Sequence, residues 1–448
     1  MKSSARKVAV IGAGWAGCAA AVEASRRGHQ VTLFERARTL GGRARAVELN
    51  GMLLDNGQHI LLGAYRETLR LMQTVGIKAT DAFLRLPLQM RYAPDSGGMD
   101  FLAPRLPAPL HLLAALLRAK GLAREDKLAL ARFSSTARWM GWQLHTDCTV
   151  AELLERFDQT DRLVRLMWNP LCIAALNTPP QRASAQVFLN VLRDSLGARR
   201  AASDMLLPRV DLTSMFPQHA AAHVEKAGGS VYTGCTVNAI SPAGEAAEAG
   251  WTLQTNGGGG AASTQHFDAV IIATDPGRAA ELLAALPGAP PLPAFEHEPI
   301  TTCYLQYDAS LRLSQPFLAL IDDAESGNWG QFVFDRGQLV ANQAGLLAVV
   351  VSTSALAVAS EQENLSAAVA RQLAETLRQP ELLKPHWSKV ISEKRATFVC
   401  TPALTRPAIE TGLSNLFLAG DYVASDYPAT LESAVQSGVA AAKLIKTR

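Results

Sequence analysis

Residues 7–43 read KVAVIGAGWAGCAAAVEASRRGHQVTLFERARTLGGR, and the reading of the whole chain starts there. Val8 to Ile11 is a short apolar run, the pattern of a strand buried on both faces. Gly12, Gly14 and Gly17 follow at once, Ala16 to Ser25 reads as a small-residue helix, and Gln30 to Phe34 reads as a second strand ending on Glu35. Strand, glycines, helix, strand and acid in this order make a βαβ dinucleotide-binding fingerprint. Gly12 permits the tight turn out of the strand, Gly14 a close approach of backbone amides to a pyrophosphate, and Gly17 close helix–strand packing. The anion then meets the positive end of the helix dipole. Glu35 is placed to accept from a ribose diol. The cofactor-binding set at this end is Gly12, Ala13, Gly14, Ala16, Gly17, Glu35 and Arg36.

The fingerprint alone does not choose between NAD and FAD. Residues 39–45, TLGGRAR, add a second glycine pair and an arginine just after the acid-bearing strand. This arrangement resembles the flavoproteins of the amine oxidase and phytoene desaturase superfamily. The resemblance implies FAD, with Gly41, Gly42 and Arg43 beside its pyrophosphate. Asp55-Asn56-Gly57-Gln58-His59, leading into Leu61-Leu62-Gly63-Ala64-Tyr65, looks like the squalene-associated branch, the FAD-dependent hydroxysqualene dehydroxylases. That resemblance implies Gly57, Gln58 and His59 near the isoalloxazine ring, although a hydrogen-bonded structural role for His59 stays equally open. It further implies adenine contacts from the backbone of Val237 and a second nucleotide loop at Ala273 and Thr274. At the far end, Gly420 and Asp421 would meet the ribityl or pyrophosphate region, and Thr430 and Leu431 would open a helix aimed at the flavin.

The fold class expected is α/β, a discontinuous Rossmann-like FAD-binding domain with an inserted α+β substrate-binding domain of the amine-oxidase type. The boundaries expected are 1–80, 206–285 and 395–448 for the first, and 81–205 and 286–394 for the second, with a mainly helical insertion. Between them the chain reads as a hairpin over Ala46 to Ile60, a helix over Tyr65 to Val75 and strands over Leu84 to Tyr92 and Met99 to Leu102. Helical stretches are expected over Pro109 to Leu122, Arg138 to His145 and Ala151 to Ala175. Ser230 to Ile240 reads as a strand pair, and Thr301 to Tyr307, Phe317 to Ile321, Gln331 to Phe334 and Leu346 to Val351 as strands of one sheet before a helix from about Asn364 to Leu377.

The composition is globular: 448 residues, 48% hydrophobic and 19% charged, ample for a core and for more than one domain-sized unit. A net charge of +3 is too small to argue for nucleic acid. Six scattered cysteines without ligand spacing read as buried thiols in a reducing compartment; no metal site is expected. No secretory signal is read at the N-terminus. Pro109 to Leu122, PLHLLAALLRAKGL, is apolar with cations near its end, which suits either a core helix or a peripheral contact with the inner face of the cell membrane in an otherwise cytoplasmic protein.

The resemblance implies a long isoprenoid as the substrate; an apolar helix, many Leu and Ala residues and no charged cluster suited to phosphate or carboxylate recognition point indirectly to a lipid. The reaction that the resemblance implies is reductive removal of the hydroxyl of hydroxysqualene to give squalene, with the reductant unknown. His59, Asp426 and Tyr427 are the catalytic candidates for contact with that hydroxyl, each also readable as structural. A phytoene-type desaturase, an amine oxidase and a prenyl-binding escort protein remain as alternatives.

Overall fold

The computed structural model describes residues 5–244, 250–257, 260–358 and 362–446. Five strands form a parallel sheet: β1 (Lys7–Ile11), β2 (Gln30–Phe34), β3 (Ser230–Tyr232), β4 (Ala269–Ile272) and β5 (Leu416–Leu418), in the order β3-β2-β1-β4-β5. Their runs are apolar throughout because both faces are covered. On one face lie α1 (Trp15–Arg26), the helix Pro217–Lys226 and the C-terminal α5 (Leu431–Leu444). On the other, Trp251, Leu253 and Phe267 of an antiparallel meander pack on Ala9, Ile11, Val270 and Ile272. Strand order reverses between β1 and β4, so the crevice at their carboxyl ends is where such a sheet takes its ligand.

A second sheet is antiparallel, with the order Phe317–Ala319, Phe332–Asp335, Leu346–Val351, His297–Gln306, Trp387–Phe398. Its side chains alternate. Cys303, Leu305, Leu347 and Val349 share a core with Leu365, Val369 and Leu373 of the helix Gln362–Leu377, whereas Tyr304, Phe334, Leu346 and Ala348 form the opposite face with Leu54 and Leu207. Above this sheet sits a helical region that includes α2 (Leu110–Arg118), α3 (Arg124–Trp139) and α4 (Ala185–Ser195). It packs around Phe133, Trp168 and Phe188, with ring centroids 4.5 Å and 6.2 Å from Trp168.

Several elements differ from expectation. Residues 84–92 break into Phe83–Leu86 and Gln89–Arg91, because Pro87 cannot donate to a ladder. Helix α3 stops at Trp139; Gly141 and Trp142 have φ of +62° and +60°, so most of Arg138 to His145 is turn rather than helix. Residues 151–175 lie in several short helical pieces, with a π-helical turn at Val164–Trp168. The pair expected over Ser230 to Ile240 divides between two sheets. Trp387–Phe398 is a twelve-residue strand running across position 394/395. No helix among the described residues is long and apolar enough to cross a membrane. All six cysteines are buried free thiols.

Candidate active site

One cavity of about 1270 Å³ runs from the parallel sheet to the helical region. It exceeds the usual range for a drug-sized ligand, roughly 300–1,000 Å³.

Its first end is made of backbone. Gly12 leaves β1 with φ +99°, and a Cβ there would lie 2.7 Å from the carbonyl oxygen of Ala273. Gly14 is the N-cap of α1; no side chain caps this end and no acid sits in its first turn. Gly14, Trp15 and Ala16 therefore line the cavity with first-turn amides, a ready anion site. Gly14 bridges Gly41, and Gly42, at φ +63°, brings its Cα to 3.9 Å from where a Cβ on Gly14 would stand. The space that two side chains would fill is thus left open beside the first-turn amides of α1. Glu35 accepts the N–H of Ala13 at 2.7 Å and that of Ala37 at 2.8 Å, which holds its carboxylate beside the glycines, and exposed Arg36 lines the same end. Val237, Ala273 and Thr274 also line it. The carbonyl of Val237 already accepts from Arg278 at 2.8 Å, so an adenine would share that oxygen.

The chain's two ends lock together at Arg43. Its guanidinium donates to both carboxylate oxygens of Asp421 at 2.7 and 2.6 Å and to the carbonyl of Ala396 at 2.6 Å. Asp421 and the neighbouring carboxylates raise the Arg43 pKa against the lowering effect of burial. A charge-assisted bidentate pair of this kind fixes both partners in plane. Asp421, expected to meet the ribityl or pyrophosphate region itself, thus spends both oxygens on Arg43. Gly420 and Asp421 line the cavity here, and the N–H of Gly420 donates to Ser437 of α5.

The middle of the cavity is lined by Gly57, Gln58, His59, Tyr427, Thr430 and Leu431. His59 Nδ1 lies 2.9 Å from the carbonyl of Gly57, and burial lowers its pKa. The neutral ring must donate from Nδ1 to that carbonyl, which leaves Nε2 as an acceptor. Gln58 Oε1 accepts from Arg336, a guanidinium only 1% exposed that also donates to Gln343. Beneath lies Asp55, 1% exposed, with one oxygen on the N–H of Leu212 and the other, Oδ2, without a partner. Burial pushes its pKa up to about 6, although nearby Arg336 opposes this. Thr430 caps α5 by accepting from the N–H of Ser433 at 3.1 Å, and Leu431 begins the helix.

Of the three catalytic candidates, two line the cavity. Asp426 is exposed and does not; it takes part through its carbonyl, which accepts from Asn190. The carboxylate in that corner is Asp194 of α4, which accepts a hydrogen bond from the Tyr427 hydroxyl and is bracketed by Arg193 at 2.8 and 3.1 Å. Burial alone would raise Asp194, but the bonds from Arg193 and Tyr427 outweigh it and hold the carboxyl below its ordinary range. The Tyr427 hydroxyl is pushed up to about 12, first by burial and then by Asp194. The pair is therefore a neutral phenol on a carboxylate.

Asp194 was not legible because its partner lies 233 residues away. Glu432 was missed too; it accepts from the N–H groups of Glu67 and Thr68 and so caps the helix Arg66–Thr74, pinning α5 beside the cavity. Its one signal was an acid in the first turn of α5.

Beyond Tyr427 the cavity is walled by Leu116, Phe133, Met167, Leu192, Phe332 and Phe334, among other apolar side chains. A glycine-and-amide cradle continuous with an apolar chamber is an arrangement that suits a flavin-dependent oxidoreductase. The comparisons agree. The family described as flavin containing amine oxidoreductase matches residues 15–446, and the chain belongs to it; FAD is its cofactor. The chain is 29% identical, over 98% of both sequences, to the hydroxysqualene dehydroxylase of Rhodopseudomonas palustris. It is 24% identical to the zeta-carotene desaturase of Synechocystis, over 98% of this chain and 97% of that one. Among solved structures it resembles cyclohexylamine oxidase from Brevibacterium oxydans, with a TM-score of 0.65, 17% identity and 98% of each chain covered.

Proposed function

We propose that this enzyme acts on a long isoprenoid, and that its reaction is the reductive removal of the hydroxyl of hydroxysqualene to give squalene. The observation that carries the reading is the continuity of one cavity from the glycine cradle, past the Tyr427–Asp194 pair, into walls of Leu, Met and Phe. Burial of a hydrocarbon there is favourable by about 0.8 kcal/mol per methylene. The near full-length likeness to a hydroxysqualene dehydroxylase supports the choice of substrate.

FAD, once reduced, supplies the hydride that replaces the hydroxyl. The residues do the rest. Tyr427 Oη gives its one proton to Asp194, so its lone pairs would accept from the allylic hydroxyl and hold it where the cavity changes from polar to apolar; a proton from solvent and the hydride together would take that group off as water. Arg193 and the bond from Tyr427 keep Asp194 ionised and fix the phenol's direction. The apolar walls keep water from the cation left behind. His59 Nε2 offers an acceptor at the same seam.

The same reading sets the outer side of α2 against a bilayer, from which so apolar a substrate would enter. Leu110 and Leu117 are exposed there, Leu113 is exposed and also reaches the cavity wall, and Leu112 and Leu116 turn inward to line the cavity. The chemical test is anaerobic incubation of reduced enzyme with hydroxysqualene: squalene and reoxidised flavin are expected, and absence of both sinks the reading. The likeness to a zeta-carotene desaturase favours a second reading, removal of hydrogen from a polyene, in which oxidised enzyme would bleach on adding substrate.

A further inference from the structure

A second cavity, of about 310 Å³, lies at the foot of α2 and has no part in the site above. It is lined by Pro87, Asp100, Leu102, Ala103 and Pro104 and by three cations, Arg105, Arg118 and Lys120. All three cations are exposed, and none is in a hydrogen bond or ion pair through its side chain among the described residues. The one carboxylate present, Asp100, is committed to Arg91 through two bonds of 2.7 and 3.2 Å. The pocket is thus a concave, unneutralised positive site, which fits an anion.

What surrounds it says which anion. Leu102 and Leu106 are exposed beside the pocket in sequence, and Leu110, Leu113 and Leu117 stand along α2, with Leu117 68% exposed immediately before Arg118. Soluble phosphate or nucleic acid would have no use for that apolar rim. An apolar helix face ending in cations is how a protein lies in the interface of an anionic leaflet, leucines among the acyl chains and guanidinium groups at the phosphates.

We infer that Arg105, Arg118 and Lys120 form a headgroup site for an anionic phospholipid, which seats the outer face of α2 on a membrane. The site rests on the reading that this face meets a bilayer and adds to it the lipid class and the residues that select it. It places the part of the main cavity's wall made by Pro109, Leu112 and Leu113 near the level of the headgroups.

The test is co-sedimentation of the FAD-loaded enzyme with vesicles of phosphatidylcholine alone and of phosphatidylcholine doped with phosphatidylglycerol. Binding should be stronger to the doped vesicles, and should fall by about fivefold for each cation removed in Arg105→Gln, Arg118→Gln and Lys120→Gln. A control with the same loss of charge, Lys384→Gln, Lys389→Gln and Lys394→Gln, should retain more. Flavin absorbance reports that each variant is folded, and the single variants serve if the triple is not. Equal binding to both vesicles, or equal losses in the two triples, overturns the headgroup site while leaving bilayer contact standing. No binding to either vesicle overturns both. Calorimetric binding of glycerol phosphate as tight as that of doped vesicles overturns the lipid assignment in favour of a soluble phosphate.

Discussion

The two ends of the main cavity are built by opposite means. At the nucleotide end the groups that would touch the ligand are backbone amides, and the side chains are missing by design: Gly12, Gly17 and Gly42 stand where any Cβ would crowd the opposite strand or loop. At the far end the contact surface is side-chain bulk from α2, α3, α4 and the antiparallel sheet. A backbone site cannot be retuned one residue at a time, because its geometry belongs to the fold. A wall of side chains can, because volume-conserving exchanges cost little. The difference explains how one scaffold can keep its cofactor while its relatives carry names as different as hydroxysqualene dehydroxylase and zeta-carotene desaturase.

The strongest way to break this contrast is to add one methyl group at the backbone end. A Cβ on Gly17 would lie 1.8 Å from the carbonyl oxygen of Gly12, so Gly17→Ala should cost about 4 kcal/mol and yield protein without flavin, as read by absorbance and thermal melting. Retention of bound FAD by that variant would refute the account of the cradle.

Next in size is the buried carboxyl between the two ends. Asp55 has a folded pKa of about 6 against an ordinary 3.8. Its pKa is raised on folding, so the unfolded chain gives up the proton first. The associated stability is complete below about pH 4 and lost as pH rises through about 6, a swing of roughly 3 kcal/mol. Melting curves of the wild type and of Asp55→Asn across this window should diverge by that amount; parallel curves would show that Asp55 titrates normally.

At the seam, Tyr427→Phe removes the acceptor that would position the hydroxyl, and should retain FAD and the fold yet lower single-turnover reduction of the substrate about a hundredfold. An unchanged rate would leave the phenol a structural role only. Arg43→Met removes one partner of a pair whose other member, Asp421, is 10% exposed. The arginine itself is 37% exposed, so the loss is discounted to roughly 2 kcal/mol, accompanied by weaker FAD binding in fluorescence titration. The smallest effect belongs to the side-chain end. Phe133→Leu, which loses the 4.5 Å ring contact with Trp168, should cost about 1 kcal/mol and leave FAD affinity untouched while changing the preferred chain length. A drop in FAD affinity there would show that the two ends are coupled after all.

The same contrast governs what could be read from the chain. The cradle was legible because its parts are neighbours in sequence: three glycines, a helix and an acid within one βαβ unit, whose second strand matches expectation residue for residue as Gln30–Phe34. The hairpin Ala46–Leu49 and Met52–Asp55 was legible from Asn50 and Gly51, both at positive φ. What was not legible depends on distant partners. Asp194 matters only because the chain returns 233 residues later with Tyr427, and Arg336 only because it reaches back 278 residues to Gln58. Asp426 read well as a neighbour of Tyr427, but adjacent residues in an irregular loop need not face the same way, and its side chain is exposed.

The packing of α1 against α5 bears on how the protein is made. A Cβ on Gly438 would stand 2.1 Å from the carbonyl of Ala16, so the helix that opens the fingerprint and the helix near the end of the chain touch backbone to backbone. Arg43 likewise waits for Asp421. On the ribosome, the nucleotide-binding fingerprint emerges long before α5 and stays half-built until α5 has followed. Such long-range closure slows folding. Stable flavin capture is therefore a late event in biosynthesis, and a yellow molecule certifies that synthesis has reached α5.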